Sequence, residues 1–170
     1  MNLKKYIYDV ENFPKPGVLF RDITPLLNNA KAFKYVIDEL AEFATKVNAE
    51  KIVAPESRGF IFASALAYKL DLPFVLVRKP GKLPREAISE AYDLEYGTNA
   101  ISIHSDSIKK GEKILVVDDL LATGGTVNAA THLAERLGGE IVGIAFVIEL
   151  KALEGRKLLE KYEVTSLVKY

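Results

Sequence analysis

Short apolar runs alternate with helix-patterned stretches along this chain, and that alternation limits the folds open to it. The runs fall at residues 52–54 (IVA), 74–77 (FVLV), 114–118 (ILVVD), 141–150 (IVGIAFVIEL) and 165–170 (TSLVKY). The first four lack polar alternation, as strands buried on both faces do. Between them, residues 31–47 place Phe33, Val36, Ile37, Leu40, Phe43, Ala44 and Val47 at three- and four-residue steps, the spacing of one helix face. Residues 60–70 read as a second helix. A third runs from TGGT to about Leu137, where Gly138 and Gly139 stop it. A short helical piece, LEGRKLLEKY, precedes the last strand. Residues 87–103 alternate loosely and turn near Gly97, which predicts a hairpin. Residues 1–30 carry turn signals such as FPKPG and read as an irregular arm. Strands alternating with helices predict an α/β fold, a parallel sheet covered on both faces through right-handed crossovers. A length of 170 residues fits one domain over 1–170.

Composition removes several function classes. There is no cysteine, so a disulfide framework, a thiolate metal site and a cysteine nucleophile are excluded. The two histidines, His104 and His132, stand far apart in sequence, which speaks against a histidine metal centre. Lys plus Arg equals Asp plus Glu at 23 each, which argues against a globally basic nucleic-acid binder. No apolar run reaches the roughly 18 residues that cross a bilayer, and MNLKKYIYDVENF lacks the apolar core of a signal peptide. The chain therefore reads as cytoplasmic, with neither membrane nor nucleic acid as partner.

In a parallel sheet, ligands bind beyond the carboxyl ends of the strands. Three chemically loaded segments leave those ends: PESRG, RKPGKLPRE and DDLLATGGT. The last constrains chemistry most. Asp118 and Asp119 close a strand, and Thr123, Gly124, Gly125 and Thr126 open a helix. Glycines admit an anion close to the backbone, the first helical N–H groups lack acceptors, and the helix dipole favours negative charge. The threonines add hydroxyl donors. This turn suits a phosphate monoester. The two acids would repel that phosphate, so they suit sugar hydroxyls or a metal. A ligand with both a phosphate and a diol is a ribose phosphate. The competing interpretation is a capped helix whose glycines only make a turn. Neither GxxxxGK[ST] nor GxGxxG is present.

VVDDLLATGGT resembles the phosphoribosyl-pyrophosphate loop of type I phosphoribosyltransferases. With FPKPGVLFRDITPLL, APESRGFIFA, VRKPGKLP, LEYG and IELKALEGR in matching order, the whole chain resembles the adenine-type members. The resemblance implies the type I phosphoribosyltransferase fold: a parallel sheet flanked by helices, an N-terminal hood from residues 1–30 over the strand ends, and a lid at about 79–97. It implies transfer of phosphoribose from phosphoribosyl pyrophosphate to adenine, giving AMP and pyrophosphate with Mg²⁺ held mainly by substrate. It also implies a homodimer.

It further implies roles residue by residue. Asp118 and Asp119 hold the ribose hydroxyls, and Ala122 through Thr126 hold the 5′-phosphate. Glu56, Ser57 and Arg58 form the pyrophosphate loop, with a non-proline cis peptide near Glu56-Ser57. By residue type alone, Arg58 could equally be a surface ion pair. Lys82 touches pyrophosphate from the lid, with Arg78 and Lys79 beside it. These cations and Arg85 could otherwise be a solvated loop. Glu95 handles a purine proton and Tyr96 lines the site, although a lone glutamate is by default a surface residue. The main chain at Leu19 and Arg21 reads the purine edge, Phe20 stacks on the ring, and Leu120 covers its other face. By composition, Phe20 could be core and Arg21 surface. Two other functions stay open: transfer to another base such as xanthine, guanine or orotate, and a regulator that senses phosphoribosyl pyrophosphate while binding nucleic acid.

Overall fold

The first thirty residues hold more regular structure than their turn signals predict. In the computed structural model, which describes residues 1–93 and 97–170, a 3₁₀ turn at Leu3–Tyr6 is followed by an antiparallel hairpin of β1 (Tyr8–Glu11) and β2 (Leu19–Asp22). FPKPG closes that hairpin. The Gly17 amide donates to Asn12 Oδ1 at 2.9 Å, the Phe13 amide to the Val18 carbonyl at 3.2 Å, and the Phe13-Pro14 peptide is cis. Asp22 then accepts from the Thr24 amide and hydroxyl at 2.9 and 2.8 Å, which starts the single turn α1 (Thr24–Leu27). The FRDITP block is thus an aspartate turn feeding a helix start. Helix α2 (Ala30–Lys46) follows, as its apolar spacing predicts. The chain divides into two compact units, Met1–Glu39 and Leu40–Tyr170.

The second unit contains the predicted parallel sheet. Its elements are β3 (Lys51–Pro55), α3 (Arg58–Leu70), β4 (Phe74–Val77), a hairpin of β5 (Ala87–Asp93) and β6 (Thr98–His104), β7 (Lys113–Leu121), α4 (Gly125–Arg136), β8 (Glu140–Glu149) and β9 (Val164–Lys169). The sheet order is β4-β3-β7-β8-β9, every neighbouring pair parallel. From β3 the chain crosses through α3 to β4 on one side. From β7 it crosses through α4 to β8 on the other. Right-handed crossovers in opposite directions put α3 and α4 on opposite faces. Val53, Val116, Ile144 and Phe146 meet Val127, Ala130 and Leu133 of α4 on one face. Ile114, Leu115, Val116 and Val117 of β7 are all fully buried, each contributing about 1.5–3 kcal/mol of transfer free energy. The direction of winding reverses between β3 and β7, and in such sheets the reversal opens the ligand crevice.

Three further features differ from the sequence reading. FVLV forms an edge strand, and Leu76 is left exposed. Strand β7 continues past the two acids to Leu121. The stretch 153–162 forms no α-helix. Two 3₁₀ segments, Lys151–Leu153 and Gly155–Leu159, stand there instead, because Gly155 is held in contact with a distant loop. Among the described residues, no helix is long and apolar enough to cross a membrane.

The 3₁₀ segment at Gly155–Leu159 is anchored by one ion-pair network. Arg156 donates Nε to Glu149 Oε1 at 3.0 Å and Nη2 to Oε2 at 2.5 Å, while Nη1 reaches the Val164 carbonyl at 2.9 Å. Ser166 accepts from Arg156 Nη2 at 3.1 Å and donates to Glu149 Oε2. The Arg156 fork holds the Glu149 carboxyl down from 4.5 to about 2, against burial, with help from Ser166. A depressed carboxylate contributes stability above its unfolded value and loses it as pH falls toward the folded one. Glu149→Gln is therefore expected to destabilise the protein by about 2 kcal/mol at pH 7, with the difference from wild type shrinking steadily below pH 4.5. Urea midpoints at pH 7, 5 and 3.5 check this; a pH-independent difference would contradict it.

Candidate active site

Strand β3 ends at Pro55, and the Glu56-Ser57 peptide is cis, as the resemblance implied. Glu56 bonds to the segment after β4. Its Oε1 accepts from the Lys79 amide at 2.8 Å and from Arg78 Nε at 3.2 Å. The Lys79 amide, with Arg78 beside it, holds the carboxyl below its ordinary value against a burial effect that raises it. Glu56 and Arg78 thus tie the β3 turn to the segment after β4. Ser57 precedes the first turn of α3, and Arg58 opens it.

Arg58 faces the acids of β7. Its Nε lies 2.9 Å from Asp119 Oδ2, in charge contact without the alignment of a hydrogen bond. Asp119 is almost wholly buried and Asp118 keeps a small open face. The Asp119 amide donates to Asp118 Oδ1 at 2.8 Å. Burial pushes Asp118 well up, and the charge of Asp119 pushes it further. Burial also raises Asp119, and Arg58 opposes that most strongly. Gly59 makes room for this cluster, since a Cβ there would stand 2.8 Å from Asp118 Oδ1. Two carboxylates and one guanidinium therefore meet at the crevice between β3 and β7. Among the described residues, no group of three or more His, Asp or Glu is placed to hold a metal ion.

Just beyond β7, Asp118 and residues 120–127 line a cavity of about 80 Å³, room for one tetrahedral anion. The Asn128 amide bonds the Gly124 carbonyl at 2.9 Å, so the amides that open α4 before it have no intrahelical acceptor. Ala122, Thr123, Gly124, Gly125 and Thr126 all contribute to the wall, as does Leu120. No cationic side chain occurs in residues 118–128, so an anion would be held by amides and hydroxyls. The turn is backed by Gly155. A Cβ at Gly155 would fall 2.2 Å from the Ala122 carbonyl and 2.9 Å from the Gly124 amide. Only glycine lets these two backbones touch. On its other flank stands Tyr92, whose hydroxyl is 3.1 Å from Thr126 Oγ1.

The remaining predicted residues are distributed as follows. Lys79 and Lys82 are exposed in the segment after β4, with the Lys82 amide turned onto the Lys79 carbonyl at 3.2 Å. Arg85 pairs with Asp106, away from the acid pair in its bonding. Leu19, Phe20 and Arg21 lie on β2 in the first unit. Arg21 pairs with Asp9 across that hairpin. Phe20 meets Phe13 edge-on, centroids 5.0 Å apart, and with Val10 and Asp22 they line a hollow of about 260 Å³. Glu95 and Tyr96 lie outside the described residues. The sequence reading missed Gly155 and Tyr92. A glycine interrupting a helical spacing was the available signal for the first. The second had none.

The model for the phosphoribosyl transferase domain matches residues 26–169. The adenine phosphoribosyltransferase of Carboxydothermus hydrogenoformans is 56% identical to this chain over 170 residues, covering 100% of both. That of Mesoplasma florum is 55% identical over the same span, again covering 100% of both. The crystal structure of adenine phosphoribosyltransferase from Thermoanaerobacter pseudethanolicus superposes with a TM-score of 0.96 at 49% identity, covering 99% of this chain and 98% of that one. The Saccharomyces cerevisiae enzyme, in complex with an imino-altritol bisphosphate and adenine, superposes at 0.91 with 40% identity, covering 97% and 96%.

The acid pair carries a stability cost with a defined sign. A buried carboxyl whose folded value is raised destabilises the protein increasingly as pH climbs above its unfolded value. Asp118→Asn keeps an acceptor for the Asp119 amide and removes that charge. It is expected to raise Tm at pH 7, with the gain disappearing toward pH 4. Thermal melts across that range decide it, and a variant less stable than wild type at pH 7 would contradict the burial argument.

Proposed function

The chain belongs to the phosphoribosyl transferase domain family, and we propose from that premise that it transfers phosphoribose from phosphoribosyl pyrophosphate to adenine, releasing AMP and pyrophosphate. One observation carries the site assignment: the buried Asp118–Asp119 pair adjoins an anion-sized turn at the point where the sheet reverses direction. The bond from the anomeric carbon to pyrophosphate breaks, and the bond from purine N9 to that carbon forms. Positive charge develops on the ribose ring between the two events. Asp118 and Asp119 accept from the ribose hydroxyls and offset that charge. The amides and hydroxyls of residues 122–126 hold the 5′-phosphate. Arg58 and Lys82 face the departing pyrophosphate, with Ser57 in the same turn. Glu56 and Arg78 position that turn and the lysine segment, where Lys79 lies.

The donor set also fits Mg²⁺, a cation content with one or two carboxylates plus water and substrate oxygens. On this reading the ion is held mainly by the substrate and water, and Asp118 and Asp119 would be the carboxylates of this chain beside it. When bound, the ion neutralises charge on the leaving pyrophosphate.

For the base, the main chain at Leu19 and Arg21, the ring of Phe20 and the side chain of Leu120 are the proposed contacts. The apolar hollow beside Phe20 supports a flat ring as occupant. Glu95 is the proposed group for the purine proton, with Tyr96 next to it. A homodimer is also part of this proposal. The exposed Ile61 and Tyr68 on α3 and Leu76 on edge strand β4 support it. Highly charged phosphoribosyl pyrophosphate does not cross membranes unaided, which supports a cytoplasmic location.

Pyrophosphate release is the direct test, with adenine, hypoxanthine, guanine, xanthine and orotate offered separately in the presence of Mg²⁺. Rapid release is expected with adenine alone. Release with another base would refute the base contacts while keeping the phosphate site. No release with any base would favour the sensing regulator. The double variant Asp118→Asn, Asp119→Asn is expected to lose about 100-fold or more in turnover with unchanged circular dichroism. For Glu95→Ala, a rate that matches wild type at every pH would remove its proton role.

A further inference from the structure

Tyr92 lies one residue from the end of β5, and its ring stands against the anion-binding turn. A Cβ at Gly125 would come 3.1 Å from Tyr92 Cδ2, so the ring fills the space a side chain would need there. Its hydroxyl oxygen accepts from Thr126 Oγ1 at 3.1 Å. Further back, the same hairpin is fixed to α4. Arg136 Nη1 donates to the Ser89 carbonyl at 2.8 Å and to Glu90 Oε2 at 2.9 Å, and His132 Nδ1 lies 3.4 Å from Glu90 Oε1. Tyr92 is thus where the β5–β6 hairpin meets the turn itself.

The proton inventory gives this contact a consequence. A threonine hydroxyl has one proton to give, and Thr126 gives it to Tyr92. A phosphate seated in the turn has only acceptors to offer, so it takes that proton. The Thr126–Tyr92 contact then persists only if the phenol donates in turn. The result is a relay from Tyr92 O–H to Thr126 Oγ1, and from Thr126 O–H to a phosphate oxygen. In such a chain each bond polarises the next, and the one to the anion is the strong one.

We infer that Tyr92 is a positioning residue of the phosphate site, one that orients Thr126 and ties the β5–β6 hairpin to a bound phosphate monoester. This rests on reading residues 122–126 as the ribose-phosphate site. Gly125 suits the same arrangement, because a Cβ there would press on the ring of Tyr92 and oblige it to shift.

The test is calorimetric binding of ribose 5-phosphate, and separately of phosphoribosyl pyrophosphate with Mg²⁺, to wild type and to Tyr92→Phe, which keeps the ring and loses the hydroxyl. Binding of both ligands is expected to weaken about 3- to 10-fold, with KM for adenine unchanged at saturating co-substrate. In a Thr126→Val background, Tyr92→Phe should cost nothing further. In a Thr126→Ser background, which retains a hydroxyl, its cost should return. Equal affinities for wild type and Tyr92→Phe overturn the inference, as do additive losses in the Thr126→Val double variant. If wild type binds neither ligand, the phosphate-site reading itself falls and takes this one with it. Matching melting temperatures for wild type and Tyr92→Phe are expected; a weaker affinity that tracks a lower melting temperature would reduce Tyr92 to packing and overturn the relay.

Discussion

Asp118 and Asp119 sit side by side near the carboxyl end of the central strand, where burial opposes charge on both. Much of the surrounding structure makes that arrangement tolerable. Arg58 comes from the helix after the neighbouring strand and lies 2.9 Å from Asp119. Gly59 keeps the start of α3 from crowding Asp118. Glu56, the acid just past the end of β3, is engaged by Arg78 and the Lys79 amide. These groups converge because β3 and β7 are sheet neighbours whose following helices lie on opposite faces. The crevice is thus a product of winding order, and the acids occupy the place where winding leaves room.

The turn at residues 122–126 is positioned from outside itself. Its glycines give it little rigidity of their own. Gly155 presses on it from behind, backbone to backbone. Arg156, the next residue, is clamped between the end of β8 and strand β9 through Glu149, the Val164 carbonyl and Ser166. The turn after one strand is therefore indexed to the two strands beyond it. The lysines after β4 contrast with this. Lys79 and Lys82 project from an exposed segment, and the link from that segment to the β3 turn runs through Glu56.

The sheet was legible because its period was strong: uninterrupted apolar runs in β3, β7 and β8, each followed by a helix-spaced stretch or a glycine stop. The acids and the TGGT turn were legible because their residue types have few other uses at a strand end. The β1–β2 hairpin was not. Every residue of β1 is exposed, so no alternation marks it, and its pairing is set by the turn through Asn12 and Gly17. The edge position of β4 depends on strand order, which FVLV does not encode. The 3₁₀ form of 155–159 is imposed by a contact with Ala122 more than thirty residues away. Tyr92 was hidden for the same reason: nothing near it in sequence announces Thr126.

The chain has zero formal net charge, yet its candidate site is strongly segregated. Neutral amides and hydroxyls line the turn at 122–126. Next come the two carboxylates of β7. Beyond them, at the end of β3, stands the guanidinium of Arg58. Phosphoribosyl pyrophosphate has a matching order of groups: a phosphate monoester, a diol and a diphosphate. On the proposed reading this order fixes the direction in which the substrate lies. A reversed substrate would place its diphosphate in a turn sized for one tetrahedral anion and without a cation to neutralise it. It would also leave Arg58 facing the smaller charge. The carboxylates serve the diol in either direction, so the two ends choose between them. Selectivity for orientation then arises from where charge is withheld as much as from where it is supplied.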